Sequence, residues 1–435
     1  MNLESHPTNQ LSGEVTCPGD KSISQRVLMI GSLLNCDIKI SGFLDAEDPN
    51  STMMALNNLG SSIKKDNGIV SISHRSEPFS NPSSYLDLGN SGTGMRLLTG
   101  FISGLNIVAT LTGDDSLSKR PMSRIVDPLI AMGKEIYTNN GKAPIQIQGG
   151  NIKDNFEYVM PIASAQVKSS LILAALTSGN SIKITESKMT RDHTERMIEY
   201  LDGSIEISES SQDKTIFLKR SKLSKISSYE VVGDFSSAAF IIVAALISKN
   251  SEVLIKNVGL NETRSGLLEV LLKMNANIEI VNKRQTCNED CGDIIIKSSK
   301  LEGINVPNSI IPNIIDEIPI LSIAACFAEG QTIIKNASEL KVKESDRLNA
   351  TSMGLKAMNI KHDLLDDGLI INGTQDDVEI YEEIESFGDH RIAMSFLIAG
   401  LRSKNGVKVR DCSNIETSFP NFSMIMNNLG MIINE

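Results

Sequence analysis

Basic side chains gather where helices are expected to begin. Lys21, Ser22 and Arg26 open the segment GDKSISQRVLMIGSLL, with Ser22 and Arg26 four residues apart and so on one helical face. Asn90-Ser91-Gly92-Thr93-Gly94 opens a second segment, and its glycines let a ligand approach the backbone closely. The first turn of a helix presents N–H groups without partners and a partial positive charge, which suits anions. Ordinary capping is the simpler reading of an isolated helix-start residue such as Asp234, but a cap needs neither Lys21 nor Arg26 beside it.

Three more constellations carry cations. GDDSLSKRPM, residues 113–122, is a turn-rich loop with Lys119 and Arg120 ahead of a helix expected to start at proline; a solvated charged loop is the bland alternative. In Lys341-Val342-Lys343-Glu344-Ser345-Asp346-Arg347, Lys343 and Arg347 are expected on one helical face with Glu344 beside them, a pattern that surface ion pairs also produce. Asp389-His390-Arg391 stands at another helix start, where a lone His is ordinarily structural. Two carboxylates, Asp316 and Glu344, accompany these basic groups. A carboxylate pair among anion-holding cations has the chemistry for a general base and a general acid.

The elements that must position these groups repeat six times. GDKSISQRVLMIGSLL, GNSGTGMRLLTGFIS, ASAQVKSSLILAAL, GDFSSAAFIIVAAL, IDEIPILSIAACF and GDHRIAMSFLIAGL each set a polar anchor before an apolar helical run. The anchors are Asp20, Asn90, Ser164, Asp234, Asp316 and Asp389, spaced by 70, 74, 70, 82 and 73 residues. A second helix-like stretch ends 37 to 42 residues after each anchor, at Leu59-Gly60, Met132-Gly133, Leu201-Asp202, Met274-Asn275, Met358-Asn359 and Leu429-Gly430. Gly or Asn just past an apolar run is a helix-stop signal. Strand-like runs such as Asp37–Ile40 and Val253–Ile255 lie between the two helices, and Ile278–Ile280 follows a second one. Ile23, Val27, Ile30 and Leu34 form one buried stripe, whereas Leu171–Leu176 and Ala238–Ile247 are apolar nearly all round and are expected inside a domain.

Six α/β units are too many for one core. Three and three give a first domain over residues 20–232 and a second over 1–19 and 233–435. Leu11–Cys17 would pair with the second half, so the chain would cross twice, near 19 and 233, with an active site in the cleft between the domains. Two crossings suit a hinge-closing enzyme.

Composition bounds the rest. In 435 residues, 40% are apolar and 22% charged, an ordinary globular balance rather than a disordered one. The net charge of −11 and 4% aromatic content disfavour a nucleic-acid or anionic-membrane binder, yet a few clustered cations still dominate one cleft. The longest apolar run, Ala238–Ile247, is short of the roughly 20 residues a membrane span needs, and MNLESHPTNQ has no signal-peptide character. A cytoplasmic protein is expected. Its six cysteines (17, 36, 287, 291, 326 and 412) read as reduced thiols, and Cys287 and Cys291 lack a second Cys/His pair at metal spacing.

With these residues in hand, the chain resembles the EPSP synthase family, the 3-phosphoshikimate 1-carboxyvinyltransferases. The likeness lies in PGDKSISQR, LGNSGTGMRL, GDDSLSKRPM, SAQVKSSLILAAL, TRDHTERM, GDFSSAAF, IDEIPIL, LKVKESDRL and GDHRIAMSF, which keep the family's order over nearly the whole chain. SAQVKSS and LKVKESDRL are similar to the branch of glyphosate-tolerant bacterial enzymes. The resemblance implies an α/β fold of two similar domains, each of three βαβαββ units around a pseudo-threefold axis. It implies a transferase of the shikimate pathway, which serves aromatic amino-acid and chorismate biosynthesis and is the glyphosate target. Phosphoenolpyruvate gives its enolpyruvyl group to the 5-hydroxyl of shikimate 3-phosphate and phosphate is released, with no metal or organic cofactor. The implied partners are those two small molecules, without nucleic acid or membrane, and the protein is expected to act as a monomer.

Carried over by motif, Lys21, Ser22, Arg26, Ser164, Gln166, Arg191, Asp316 and Lys343 resemble the ligands of shikimate 3-phosphate. Lys21, Gly92, Arg120, Gln166, Arg347 and Arg391 resemble those of phosphoenolpyruvate, where planar guanidinium forks suit carboxylate and phosphate. Asp316 resembles the base on the 5-hydroxyl, Glu344 the proton donor to the methylene carbon, and Lys21 a group that protonates or stabilises. Two positions depart from many relatives, Ala165 where they have a serine and Thr417 where they have a phosphoenolpyruvate-binding lysine, and Gly92 is alanine in some glyphosate-tolerant enzymes. A related transferase acting on UDP-N-acetylglucosamine shares fold and donor. Most of its members carry a reactive cysteine in the loop matching 113–122, and here that loop has none. A non-catalytic clamp of repeats is the alternative from another class, but its ring interior should be basic.

Overall fold

A computed structural model of the chain describes residues 1–210 and 213–435. Its helices come in pairs. The first of each pair are α1 (Lys21–Gly31), α3 (Gly92–Ser103), α5 (Ala165–Ser178), α7 (Phe235–Ile247), α10 (Ile318–Cys326) and α12 (His390–Ala399). The second are α2 (Glu47–Asn58), α4 (Ser123–Ala131), α6 (His193–Tyr200), α8 (Gly266–Lys273), α11 (Arg347–Ala357) and α13 (Phe422–Asn428), and a short α9 (Ile311–Ile314) precedes α10. Each second helix stops as its sequence dictates. Gly60, Gly133, Asp202, Asn275, Asn359 and Gly430 take φ of +102°, +107°, +56°, +68°, +55° and +105°, the left-handed turn that ends a helix and that Gly, Asn and Asp adopt most readily.

The helix starts follow the sequence less closely. Asp20, Ser164, Asp234 and Asp389 cap their helices, accepting from the N–H of Ile23, Val167, Ser236 and Arg391. At the second repeat the cap is Ser91, not Asn90. At the fifth, the helix begins after Glu317, which makes no side-chain cap, so the anchor Asp316 stands one residue before the cap position. Asp346 caps α11 and starts it at Arg347, which leaves Lys343 and Glu344 in the bend before it rather than on a shared helical face.

The chain divides into two compact units. One comprises 19–231 and 286–289. The other comprises 1–18, 232–285 and 290–435. In the first, α3 packs on α5 and on α1. The contact with α5 is so close that a Cβ on Gly100 would fall 2.0 Å from the Ser170 carbonyl oxygen, so only glycine fits there. Three four-stranded mixed sheets accompany these helices. The strand Ser228–Glu230, which follows the third repeat, pairs parallel with Ile38–Ser41 of the first and so ties the ends of the unit together.

In the other unit α7, α10 and α12 pack on one another and are buried along their whole lengths. A helix that is apolar all round has no face to offer water, so it settles at the centre. The N-terminus belongs to this unit. Ser12–Thr16 pairs parallel with Glu252–Lys256, as the Leu11–Cys17 reading expects, and Leu3–His6 lies between Val407–Arg410 and Ile432–Asn434. Among the described residues no helix is long and apolar enough to cross a membrane.

Candidate active site

In the unit containing α1, the helix starts hold a connected polar group. Arg26 is buried. Its Nε donates to Thr194 Oγ1 (2.8 Å), its Nη2 to Ser169 Oγ (2.9 Å) and its Nη1 to the Ser22 carbonyl (2.9 Å). Burial pulls its pKa down to about 10, against Glu195 and Asp20, which raise it, and with the nearby Arg191 also lowering it. Lys21 Nζ lies 2.9 Å from Asp48 of α2. Gln25 ties α1 to its neighbours by donating to Ser91 Oγ (2.7 Å) and Thr52 Oγ1 (3.1 Å).

A second set forms around Gly92. Gln166 accepts from Arg96 Nη1 (2.9 Å) and donates to Thr93 Oγ1 (3.0 Å). Arg120 donates to Asn90 Oδ1 (2.5 Å) and Ser116 Oγ (3.3 Å). A Cβ on Gly92 would stand 2.8 Å from Arg96 Nη1 and 3.1 Å from Arg120 Nη1, so two guanidinium groups converge on this glycine. Gly92, Arg120 and Gln166 are therefore brought together with Arg96, which the motif reading omitted. Its position four residues after Gly92 on the same helix was the available signal. Ser164 caps α5, and Arg191 lies in the loop before α6.

The other unit carries a denser ionic lattice. Asp316 Oδ1 lies 3.1 Å from Arg347 Nη1 and 3.5 Å from Lys343 Nζ, and Oδ2 lies 3.9 Å from Arg264 Nη1. Arg347 also reaches Glu344 Oε2 (2.5 Å) and Asp389 Oδ2 (2.7 Å). Burial lowers the Arg347 pKa, but Asp389, Glu344 and Asp316 more than reverse this and hold it above the ordinary arginine value. Arg391 donates to the Asp316 carbonyl (3.1 Å) and lies 3.4 Å from Glu317 Oε1. Ser236 Oγ donates to Glu317, and Arg264 pairs with Asp234 at 3.0 Å.

Exposure sorts the carboxylates of this lattice. Glu317 and Asp389 are 0% exposed in their side chains, whereas Asp316 is 13% and Glu344 22%. Proton transfer to a ligand requires access, so Asp316 and Glu344 are the pair suited to acid–base work, and the sealed carboxylates hold the arginines. Arg264 and Glu317 escaped the sequence reading because their partners lie far along the chain, 81 residues for Glu317 and Ser236. Of the departures, Ala165 opens α5 with no hydroxyl, and Thr417 is buried with its Oγ1 donating to the Asn414 carbonyl (2.7 Å). Among the described residues no group of three or more His, Cys, Asp or Glu is arranged to hold a metal.

Comparison with known proteins agrees with these motifs. The family model for EPSP synthase (3-phosphoshikimate 1-carboxyvinyltransferase) matches residues 5–426. The 3-phosphoshikimate 1-carboxyvinyltransferase of Petrotoga mobilis is 44% identical, with 99% of this chain and 100% of the relative covered. That of Legionella pneumophila strain Lens is 43% identical, covering 100% and 99%. The solved EPSP synthase of Acinetobacter baumannii superposes with a TM-score of 0.86 at 39% identity over 100% of both chains. The enolpyruvyl transferase NikO of Streptomyces tendae, at a TM-score of 0.77 and 15% identity over 100% of this chain and 98% of its own, shares the fold. This chain belongs to the EPSP synthase family.

Proposed function

We propose that the protein transfers the enolpyruvyl group of phosphoenolpyruvate to the 5-hydroxyl of shikimate 3-phosphate. The observation that carries the proposal is the pair of accessible carboxylates, Asp316 and Glu344, joined through one buried arginine, Arg347. In the addition step Glu344, as the acid, gives a proton to the methylene carbon of phosphoenolpyruvate. The adjacent carbon becomes electrophilic, the 5-oxygen attacks it, and Asp316 takes the hydroxyl proton. In the elimination step Glu344 recovers a proton from the new methyl group, the carbon–oxygen bond to phosphate breaks, and the proton held by Asp316 leaves with the phosphate. Protons and charge balance over the two steps.

Two substrates that together bear two carboxylates and two phosphates need fixed cations. Lys21, Ser22, Arg26, Ser164, Gln166, Arg191, Asp316 and Lys343 are assigned to shikimate 3-phosphate. Lys21, Gly92, Arg120, Gln166, Arg347 and Arg391 are assigned to phosphoenolpyruvate. The net charge of −11 favours no nucleic-acid partner, and the reading is of a monomer working in the cytoplasm. Purified protein given both substrates should release one phosphate per enol ether formed, and none from phosphoenolpyruvate alone. No release with both, or release only when UDP-N-acetylglucosamine replaces shikimate 3-phosphate, rejects the reading.

Gly92 gives a sharper test of the donor pocket. A methyl there would sit 2.8 Å from Arg96 Nη1 and 3.1 Å from Arg120 Nη1, taking space next to two cations. Overpacking of this kind typically costs enough to change affinity about tenfold. Gly92→Ala should therefore raise the inhibition constant of glyphosate, the longer molecule, by about ten times more than it raises KM for phosphoenolpyruvate. Equal weakening of both would show that Gly92 does not set the depth of the pocket.

A further inference from the structure

We propose that Lys168 is a positioning residue for shikimate 3-phosphate: its ion pair with Glu195 locks α5 to α6 and thereby sets the two hydroxyls that aim Arg26. The inference rests on the assignment of Arg26 to that substrate.

Lys168 lies on α5 with a fully buried side chain. Its Nζ is 2.9 Å from Glu186 Oε1 and 2.7 Å from Glu195 Oε1, and both carboxylates are also fully buried. It donates as well to the Thr190 carbonyl (3.4 Å), while Thr190 Oγ1 donates to Glu186 Oε2 (2.7 Å). One ammonium thus joins α5, the end of strand Ile182–Glu186, the loop that follows it, and α6. Burial pulls the Lys168 pKa down, but Glu195 and Glu186 outweigh it and keep the group charged. A buried ion triad costs more desolvation than an apolar helix contact would, so packing alone does not account for it.

The neighbours of the pair supply the reason. Ser169 follows Lys168 on α5, and Thr194 precedes Glu195 on α6. These two residues hold Arg26, at 2.9 and 2.8 Å, and Thr194 Oγ1 donates to Ser169 Oγ at 2.7 Å. Each end of the Lys168–Glu195 pair is therefore one residue from a hydroxyl that orients the guanidinium. The acceptors are neutral, so they fix its plane and leave its positive charge for an anion. Lys168 has a second consequence for Arg26. Glu195 acts on Arg26 electrostatically, and by engaging Glu195 directly Lys168 keeps that carboxylate from competing with the substrate.

The test is steady-state kinetics of Lys168→Met, Lys168→Arg and Arg26→Gln with both substrates varied. Lys168→Met should raise KM for shikimate 3-phosphate about tenfold or more, as expected for a misdirected charged hydrogen bond. KM for phosphoenolpyruvate should stay within about twofold and kcat within about threefold, a split that general loosening of the fold would not produce. Lys168→Arg should recover most of the loss. Should Lys168→Met not fold, Thr194→Val leaves the triad whole and must show the same selective rise. An unchanged KM for shikimate 3-phosphate in folded Lys168→Met or in Thr194→Val, or equal rises for both substrates, overturns the inference. Arg26→Gln separates the two levels. If it leaves KM for shikimate 3-phosphate unchanged, the assignment of Arg26 fails; if it raises that KM while Lys168→Met does not, only the positioning role fails.

Discussion

Asp316→Asn is expected to lower kcat about a thousandfold, within the range that a positioned general base contributes, while shikimate 3-phosphate still binds. The substitution keeps the volume of the side chain and a carbonyl oxygen facing Lys343 and Arg347, at 3.5 and 3.1 Å in the parent protein. It removes the group proposed to accept the 5-hydroxyl proton. Because Arg347 also holds Asp389 and Glu344, the lattice has other ties and should survive the change. Single-turnover rates with calorimetric titration of shikimate 3-phosphate would measure both quantities. Turnover within about threefold of the parent would remove Asp316 from the acid–base pair. Glu344→Gln should give a comparable loss, with one distinction: proton exchange into the methylene of phosphoenolpyruvate should stop with it. Exchange at the parental rate would transfer the acid role to another residue.

Arg347→Met should be the most damaging single change, in stability as well as activity. The Arg347 side chain is 1% exposed and faces three carboxylates, of which Asp389 is wholly sealed. Removing the cation strands a buried negative charge, and breaking a buried pair in this way typically costs about 3–5 kcal/mol. For a folding unit of about 200 residues that corresponds to a fall in melting temperature of roughly 10 °C. Enolpyruvyl transfer should become undetectable, because the planar fork assigned to the anionic donor has gone. Arg347→Lys should restore part of the stability, since it keeps the charge, but little of the activity, since a point charge cannot replace two parallel donors. A melting temperature within about 2 °C of the parent in Arg347→Met would contradict the account of Arg347 as the hub of the lattice.

The six-unit α/β pattern was legible because its signals are local. Gly60, Gly133, Asp202, Asn275, Asn359 and Gly430 each end a helix through their own backbone preference, which nearby residues suffice to reveal. The apolar runs Leu171–Leu176 of α5 and Ala238–Ile247 of α7 required the interior for the same kind of reason. The chemistry-bearing motifs were legible as residue types. Arg26, Arg120, Arg347 and Arg391 all lie in polar clusters at or near helix starts.

Which group holds which was decided only by the tertiary structure. Asp316 reads as a carboxylate near basic groups, but only the packed structure shows that those groups are Lys343, Arg347 and Arg264. Lys343 and Arg347 read as one helical face, but Asp346 starts the helix between them, and they meet instead through Asp316. Arg264 lies outside the quoted motifs, and Arg96, Glu317, Lys168 and Glu195 lie inside them without a role that residue type or spacing revealed. Their partners come from other helices and loops, such as Gln166 for Arg96, 70 residues away, and Ser236 for Glu317, 81 residues away. Helix stops and periodicity are properties of a few consecutive residues, so the sequence determined them. Ionic partnership depends on distances that exist only after distant segments have packed, so folding alone assigned each arginine its carboxylate.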